Sequence, residues 1–137
     1  MGLILDSSVL IAAERKGKNA RNALAEIALR AAGEDVAVSV VTLIELTHGI
    51  VRSDTPERKA MRQQFLNELV DALPVHPVSV PIALRAGRID GENAARGVRL
   101  ALADLLIGVT ALEHGYAVAT VNLRHFQMIP GLKIVSL

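Results

Sequence analysis

Short apolar runs with the composition of β-strands recur along this chain, and helical segments separate most of them. The strand-like runs are "GLIL", "DVAVSVV", "PVHPVSV", "YAVATV" and "LKIVSL". Pairs of helical segments lie between all but the last two runs, which gives the order β-α-α-β-α-α-β-α-α-β-β. Strands joined through helices pair in parallel with right-handed crossovers. The sequence therefore predicts an open α/β sandwich whose ligand site lies beyond the carboxyl ends of its strands.

Local signals mark several helix ends. Thr55 is a good cap for the helix that follows it, and Pro56 suits the first turn of that helix. The segment "PIALRAGRIDGENAARG" begins as a helix, and we expect a loop around Gly91. His114 precedes Gly115 at a helix end, where a cation suits the helix dipole.

The totals fit one domain, residues 1–137, and exclude several classes of protein. Aromatic residues make up only 2% of the chain, so Leu, Val, Ile and Ala must build the core. The absence of cysteine excludes disulfides and thiolate metal sites, which suits a cytoplasmic protein. Asp6 interrupts the first apolar run, and no run is long enough to span a membrane, so we expect neither a signal peptide nor a membrane partner.

Four side chains with acceptor oxygens follow or flank the apolar segments. Asp6 ends the first strand, Glu45 lies just after the second, and Asn122 follows "YAVATV". Asp104 interrupts the apolar run "LALADLLIGV". Because the carboxyl ends of parallel strands share one edge of a sheet, these four side chains can converge there.

Each of these residues also has a structural explanation. Asp6 or Ser7 can cap the next helix. "TLIE" matches a capping box in which Glu45 reaches back to a cap at Thr42. Asp104 can cap a helix or be buried with a partner, and Asn122 can shape a turn.

Several carboxylates at one edge repel each other unless a cation offsets their charge. Mg²⁺ takes oxygen ligands, usually one or two carboxylates with water and substrate phosphate, and Mn²⁺ suits the same ligands. Such an ion can activate water and stabilise the charge that develops on a phosphodiester. The spacing therefore permits a metal-dependent nuclease, although spacing alone does not establish one.

Four segments, "LDSSVLI", "TLIELTHGI", "LADLLIGVTAL" and "TVNLRHF", resemble the signature segments of the PIN domain, in the right order. Within that family the chain is most similar to the VapC-like toxins of toxin–antitoxin pairs. The resemblance implies a Mg²⁺- or Mn²⁺-dependent endoribonuclease built as a three-layer sandwich, with a central parallel sheet of about five strands between helices. It also implies a homodimer and a small cognate antitoxin as partners, besides the RNA substrate.

The same resemblance assigns residues to the site. Asp6, Glu45 and Asp104 match the three acidic metal ligands, and Asn122 matches a fourth catalytic position that is often aspartate. Asparagine keeps an acceptor oxygen but carries no charge, which puts a tightly held second ion in doubt. Ser7 and Thr120 match polar positions that line the site.

Other polar residues have weaker claims to function. His125, close to Asn122, can touch substrate, but a supporting hydrogen bond is the favoured role. Arg96 belongs to an arginine-rich segment that either contacts phosphates or is a solvated face. His48 and His76 lack a histidine partner at helical spacing, so a zinc site is not expected.

Two other functions fit parts of the pattern. A PIN-like scaffold that binds RNA or protein with little or no catalysis remains the main alternative, and Asn122 is its only support. A phosphate-receiver domain also places aspartate at a strand end, but "LDSS" has a single acid. Neither a P-loop nor a dinucleotide-binding glycine pattern is present.

Overall fold

The computed structural model describes residues 1–137 and has the predicted order of elements. The strands are β1 (Gly2–Leu5), β2 (Asp35–Ser39), β3 (Val75–His76), β4 (Ala117–Thr120) and β5 (Ile134–Ser136). The helices are α1 (Ser7–Arg15), α2 (Ala20–Arg30), α3 (Val40–Val51), α4 (Pro56–Ala72), α5 (Val80–Ala95) and α6 (Leu102–His114). A short 3₁₀ turn, Leu123–His125, follows β4.

The sheet has five parallel strands in the order β3-β2-β1-β4-β5. The first crossovers carry the chain outward from β1 to β3, and the next returns it to the other side of β1. The strand order therefore reverses between β1 and β4, where Leu5 is paired with Ala119. Ligands of open α/β sheets bind at such a reversal, beyond the carboxyl ends of the two strands.

Alternating side chains of β1 divide the core into two layers. Leu3 and Leu5 face one cluster, which α1, α2 and α4 complete. Ile4 faces a second cluster, to which α5 and α6 contribute. Each layer covers one face of the sheet, as burial of a parallel sheet requires. The predicted three-layer α/β sandwich with a five-stranded parallel sheet is confirmed.

The layer formed by α5 and α6 is closely packed around Gly108. A Cβ at Gly108 would lie 2.4 Å from Cδ1 of Ile129 and 3.2 Å from Cδ2 of Leu132. The ring of Phe126, which is fully buried, packs beside them. Only glycine allows this close approach of α6 to the segment that follows β4.

The expected loop around Gly91 is wrong, because α5 continues through this residue to Ala95. Its buried side chains recur at helical spacing up to Asn93, which is 1% exposed. Burial of that face outweighs the cost of glycine in a helix, about 1 kcal/mol relative to alanine. The start of α4 is as predicted, since the Thr55 hydroxyl accepts a hydrogen bond from the Arg58 amide at 3.1 Å.

Three aromatic rings form a cluster at the end of α6. The rings of His76 and His114 are stacked with centroids 4.0 Å apart, and Tyr116 lies edge-on to His76 at 6.4 Å. His114 does end α6 before Gly115, as predicted, but its stacking on His76 has no sequence signal. Burial, followed by the neighbouring His114, lowers the pKa of His76. None of the helices has the length and the apolar composition that a membrane-spanning segment needs.

Candidate active site

Asp6 lies at the reversal of strand order and joins the two central strands. Its amide donates to the Ala119 carbonyl at 2.9 Å, and its Oδ2 accepts hydrogen bonds from the Thr120 hydroxyl at 2.9 Å and the Ser8 hydroxyl at 2.6 Å. The carboxylate is 3% exposed and makes no capping hydrogen bond to α1, although Asp6 occupies the cap position. The cap explanation for the Asp6 side chain is therefore wrong.

Ser8 was missed by the sequence reasoning, although it is the second serine of "LDSS". Besides its bond to Asp6, the Ser8 hydroxyl lies 3.1 Å from the Thr120 hydroxyl and accepts from the Val121 amide at 3.2 Å. The Thr120 hydroxyl in turn accepts from the Asn122 amide at 2.9 Å. Two hydroxyl groups thus fix both the Asp6 carboxylate and the start of the turn after β4.

Glu45 lies on α3, one residue after the exposed Ile44, with its own side chain half-buried. The capping box from Thr42 is wrong, because α3 begins earlier and Ser39 caps it by accepting from the Val41 amide at 3.1 Å. Oε1 of Glu45 is buried without a hydrogen-bond partner. Burial raises the pKa of Glu45; the nearby Ser7 hydroxyl opposes this shift, while the charges of Asp6 and Asp104 add to it.

Asp104 lies in the first turn of α6, whose cap is Ala101, so Asp104 is not the cap residue. Its side chain is 16% exposed, and Oδ2 lies 3.2 Å from Nδ1 of His125. Burial raises the pKa of Asp104; the charge of His125 opposes the shift and that of Asp6 adds to it. This contact is consistent with the supporting role predicted for His125, although it is an ion pair and not a hydrogen bond of the structure.

Asn122 and Arg96 differ in their relation to these acids. Asn122 is exposed in the turn after β4, next to the Thr120 hydroxyl that binds Asp6. Arg96 is exposed at the end of α5, and its guanidinium donates to Oδ1 of Asn93 at 2.6 Å. No hydrogen bond or ion pair joins Arg96 to any of the acids, so the structure does not bring it to this cluster.

The acids fit a hard cation that keeps part of its water shell. Asp6 raises the pKa of both Glu45 and Asp104, so the three carboxyl groups share one electrostatic environment. A cation would relieve this repulsion and give the orphaned Oε1 of Glu45 a partner. No three acidic or histidine side chains are arranged to hold an ion alone. Mg²⁺ does not require this, since one or two carboxylates with water or phosphate usually bind it.

A cleft of about 130 Å³ opens beside Glu45, between α1, α3 and α4. Apolar side chains, among them Leu10, Leu46 and Phe65, form most of its walls. Arg62 and Glu14 line it together with Glu45. The acidic cluster therefore adjoins a part of the core that is not closely packed.

Fold and site together define an α/β sandwich with a carboxylate cluster at the reversal of its strand order. Residues 3–131 match the family described as the PIN domain, and the chain belongs to that family.

Relatives and a solved structure agree with this membership. The chain is 34% identical to ribonuclease VapC10 of Mycobacterium tuberculosis over 131 residues, which cover 96% of this chain and 90% of that protein. It is 35% identical to the tRNA(fMet)-specific endonuclease VapC of Salmonella typhimurium over 98 residues, 71% of each chain. The structure of VapBC-5 from Mycobacterium tuberculosis, a member of the VapBC family of toxin-antitoxin systems, is similar with a TM-score of 0.71. The match has 26% identity and covers 99% of this chain and 96% of that one.

Proposed function

We propose that this protein is a metal-dependent endoribonuclease and the toxin of a toxin–antitoxin pair. The observation that carries the proposal is the buried Asp6 carboxylate at the reversal of strand order, sharing its environment with Glu45 and Asp104. Membership of the PIN domain family and relatives named ribonuclease and endonuclease support hydrolysis of RNA.

The proposed cofactor is Mg²⁺ or Mn²⁺, held by Asp6, Glu45 and Asp104 directly or through water. Such an ion lowers the pKa of bound water and stabilises charge on the phosphate. Ser8 and Thr120 hold Asp6 in one orientation, and His125 does so for Asp104. These contacts keep the carboxylates from turning away from the ion or the substrate.

Two polar side chains are proposed to act on water or substrate. Ser7 is buried at the start of α1, directly after Asp6, where its hydroxyl can hold a water beside the acids. Asn122 offers an uncharged oxygen and two N–H donors on the exposed side of the cluster. We place Arg96 outside the site, because Asn93 holds its guanidinium.

The proposed partners are a small cognate antitoxin and a second copy of the chain. The similarity to a member of the VapBC family of toxin-antitoxin systems supports the antitoxin. The family resemblance alone supports the homodimer. We propose that residues 1–137 form one domain that carries all of these functions.

The test is cleavage of a panel of structured RNAs, initiator tRNA included, with Mg²⁺, with Mn²⁺ or with EDTA. We expect cleavage with either ion and none with EDTA. Asp6→Asn and Glu45→Gln should lower the rate by at least about 100-fold. Asp54→Asn, an exposed acid paired with Arg58, is the matched control and should cleave normally.

Calorimetry with Mn²⁺ decides the case in which no RNA of the panel is cut. Binding that Asp6→Asn abolishes supports the site even without a known target. A wild-type protein that neither cleaves RNA nor binds Mn²⁺ contradicts the proposal and favours a PIN-like scaffold.

A further inference from the structure

The guanidinium of Arg62, on α4, contacts two other helices. Its Nη1 donates to the Gly49 carbonyl at 3.0 Å and to the Ser53 hydroxyl at 3.0 Å. Its Nε donates to Oε1 of Glu14 at 3.4 Å. The side chains of Arg62 and Glu14 are 27% and 18% exposed, so this ion pair is partly shielded from water.

The contact with Gly49 lies at the end of α3, one turn beyond Glu45. The Ser53 amide binds the Ile50 carbonyl, so Gly49 has no backbone donor at the usual position. Arg62 and the Ser53 hydroxyl, which also donates to Gly49 at 3.0 Å, satisfy that carbonyl instead. A cation at this end of α3 also suits the helix dipole.

The contact with Glu14 lies at the far end of α1, the helix that begins directly after Asp6. One guanidinium thus joins α1, which begins directly after Asp6, to α3, which carries Glu45. Its two arms use separate nitrogens held in a fixed plane, which an ammonium group does not offer.

The cleft beside Glu45 makes this link important. Closely packed side chains would fix the separation of α1 and α3, but here an opening of about 130 Å³ lies between them and α4. Arg62 and Glu14 lie on its border, as does Glu45. At this place the hydrogen bonds of the guanidinium, and not closely packed side chains, therefore fix the separation of α1 and α3.

We propose that Arg62 is a positioning residue, which holds α1 and α3 at the separation that lets Asp6 and Glu45 act on one ion. The proposal rests on the proposed function of the acidic cluster. Arg62 touches neither acid, and it acts only through the two helices. Without it, Asp6 keeps its bonds to Ser8 and Thr120, while Glu45 loses its fixed distance from Asp6.

The test compares Arg62→Ala, Arg62→Lys and Arg58→Ala. Arg58 is the matched control, because it lies one turn earlier on α4 and forms an exposed ion pair with Asp54. Mn²⁺ affinity is measured by calorimetry well below each melting temperature, so that a loss of stability alone does not change the result.

We expect Arg62→Ala to weaken Mn²⁺ binding by about three- to tenfold and to lower kcat with little change in KM for RNA. Arg62→Lys should recover part of the loss, and Arg58→Ala should match wild type. Wild-type Mn²⁺ affinity and kcat in a folded Arg62→Ala protein overturn the proposal. If Arg62→Ala does not fold, the Mn²⁺ affinities of Glu14→Gln and Arg62→Lys test the proposal instead. Wild-type affinity in both variants overturns it.

The same data separate the two proposals. A wild-type protein that binds Mn²⁺ through Asp6, together with an unchanged Arg62→Ala variant, removes only the role of Arg62. A wild-type protein that neither cleaves RNA nor binds Mn²⁺ removes both.

Discussion

The two phenylalanines of the chain lie on opposite faces of the sheet, in regions that are packed differently. Phe126 is fully buried in the layer of α5 and α6, against Gly108 and Ile129. Phe65 is 6% exposed in the layer of α1, α2 and α4, and it lines the cleft beside Glu45. The face that is closely packed around Gly108 stabilises the fold, whereas the face with the cleft leaves room for the acidic cluster to act.

Truncation of each phenylalanine tests this difference most directly. Phe126→Ala should cost about 3–5 kcal/mol of unfolding free energy, because the closely packed layer has little freedom to collapse. Phe65→Ala should cost less, since the space it leaves joins an existing opening. Chemical denaturation of both variants measures the two losses. Equal losses would show that the cleft does not loosen its face.

Glu45→Gln should separate activity from stability on the face with the cleft. The raised pKa of Glu45 means that its charged form is disfavoured in the folded state, so its contribution to stability is lost as pH rises through that pKa. At neutral pH the variant should melt no lower than wild type, while its cleavage rate falls by at least about 100-fold. A clearly lower melting temperature would assign Glu45 a structural role instead.

Substitutions that enlarge a side chain should change stability differently on the two faces of the sheet. Gly108→Ala adds a single methyl group and should cost about 1–3 kcal/mol, because Ile129 must move. Leu46→Phe adds more atoms at the wall of the cleft, yet it should change stability by less than about 1 kcal/mol or raise it. Thermal melts of the two variants compare these effects. A larger loss for Leu46→Phe would contradict the difference in packing.

The smallest effect is expected at the cluster of three aromatic rings at the end of α6, which borders neither the cleft nor the acids. The pKa of His76 is lowered on folding, so the unfolded chain takes up the proton first. Stability from this residue is complete above its unfolded pKa of about 6.5 and declines as pH falls below that value. The melting temperature of wild type should therefore drop more between neutral and mildly acidic pH than that of His76→Gln. The rings of His114 and Tyr116 face position 76 in both proteins.

The sequence predicts the fold well where one local signal dominates. Apolar runs and helical spacing place all five strands and six helices in the right order. The prediction fails where two local signals compete. At Gly91, a residue that favours loops, burial of one helix face keeps the chain helical. The predicted cap at Thr42 is also wrong, because β2 ends at Ser39 and this serine is an equally good cap three residues earlier.

The candidate site was predictable as a set of acids but not as a set of contacts. The sequence singles out three acids because each is a carboxylate that follows or interrupts an apolar segment: Asp6, Glu45 and Asp104. Ser8 does not stand out from Ser7, and only the direction of the first turn of α1 decides which hydroxyl reaches Asp6. The link from Arg62 to Glu14 spans 48 positions of the chain, and it depends on how three helices pack.

The central place of β1 in the sheet has a consequence for how the protein is made. The carboxylate of Asp6 receives its hydrogen bond from Thr120 across 114 positions, so its surroundings are complete only when β4 has emerged from the ribosome. Until then one edge of β1 has no neighbouring strand, and Asp6 lacks the contacts that β4 provides. Nascent and truncated chains therefore lack the assembled cluster. The proposed nuclease activity therefore requires that β4 has been translated.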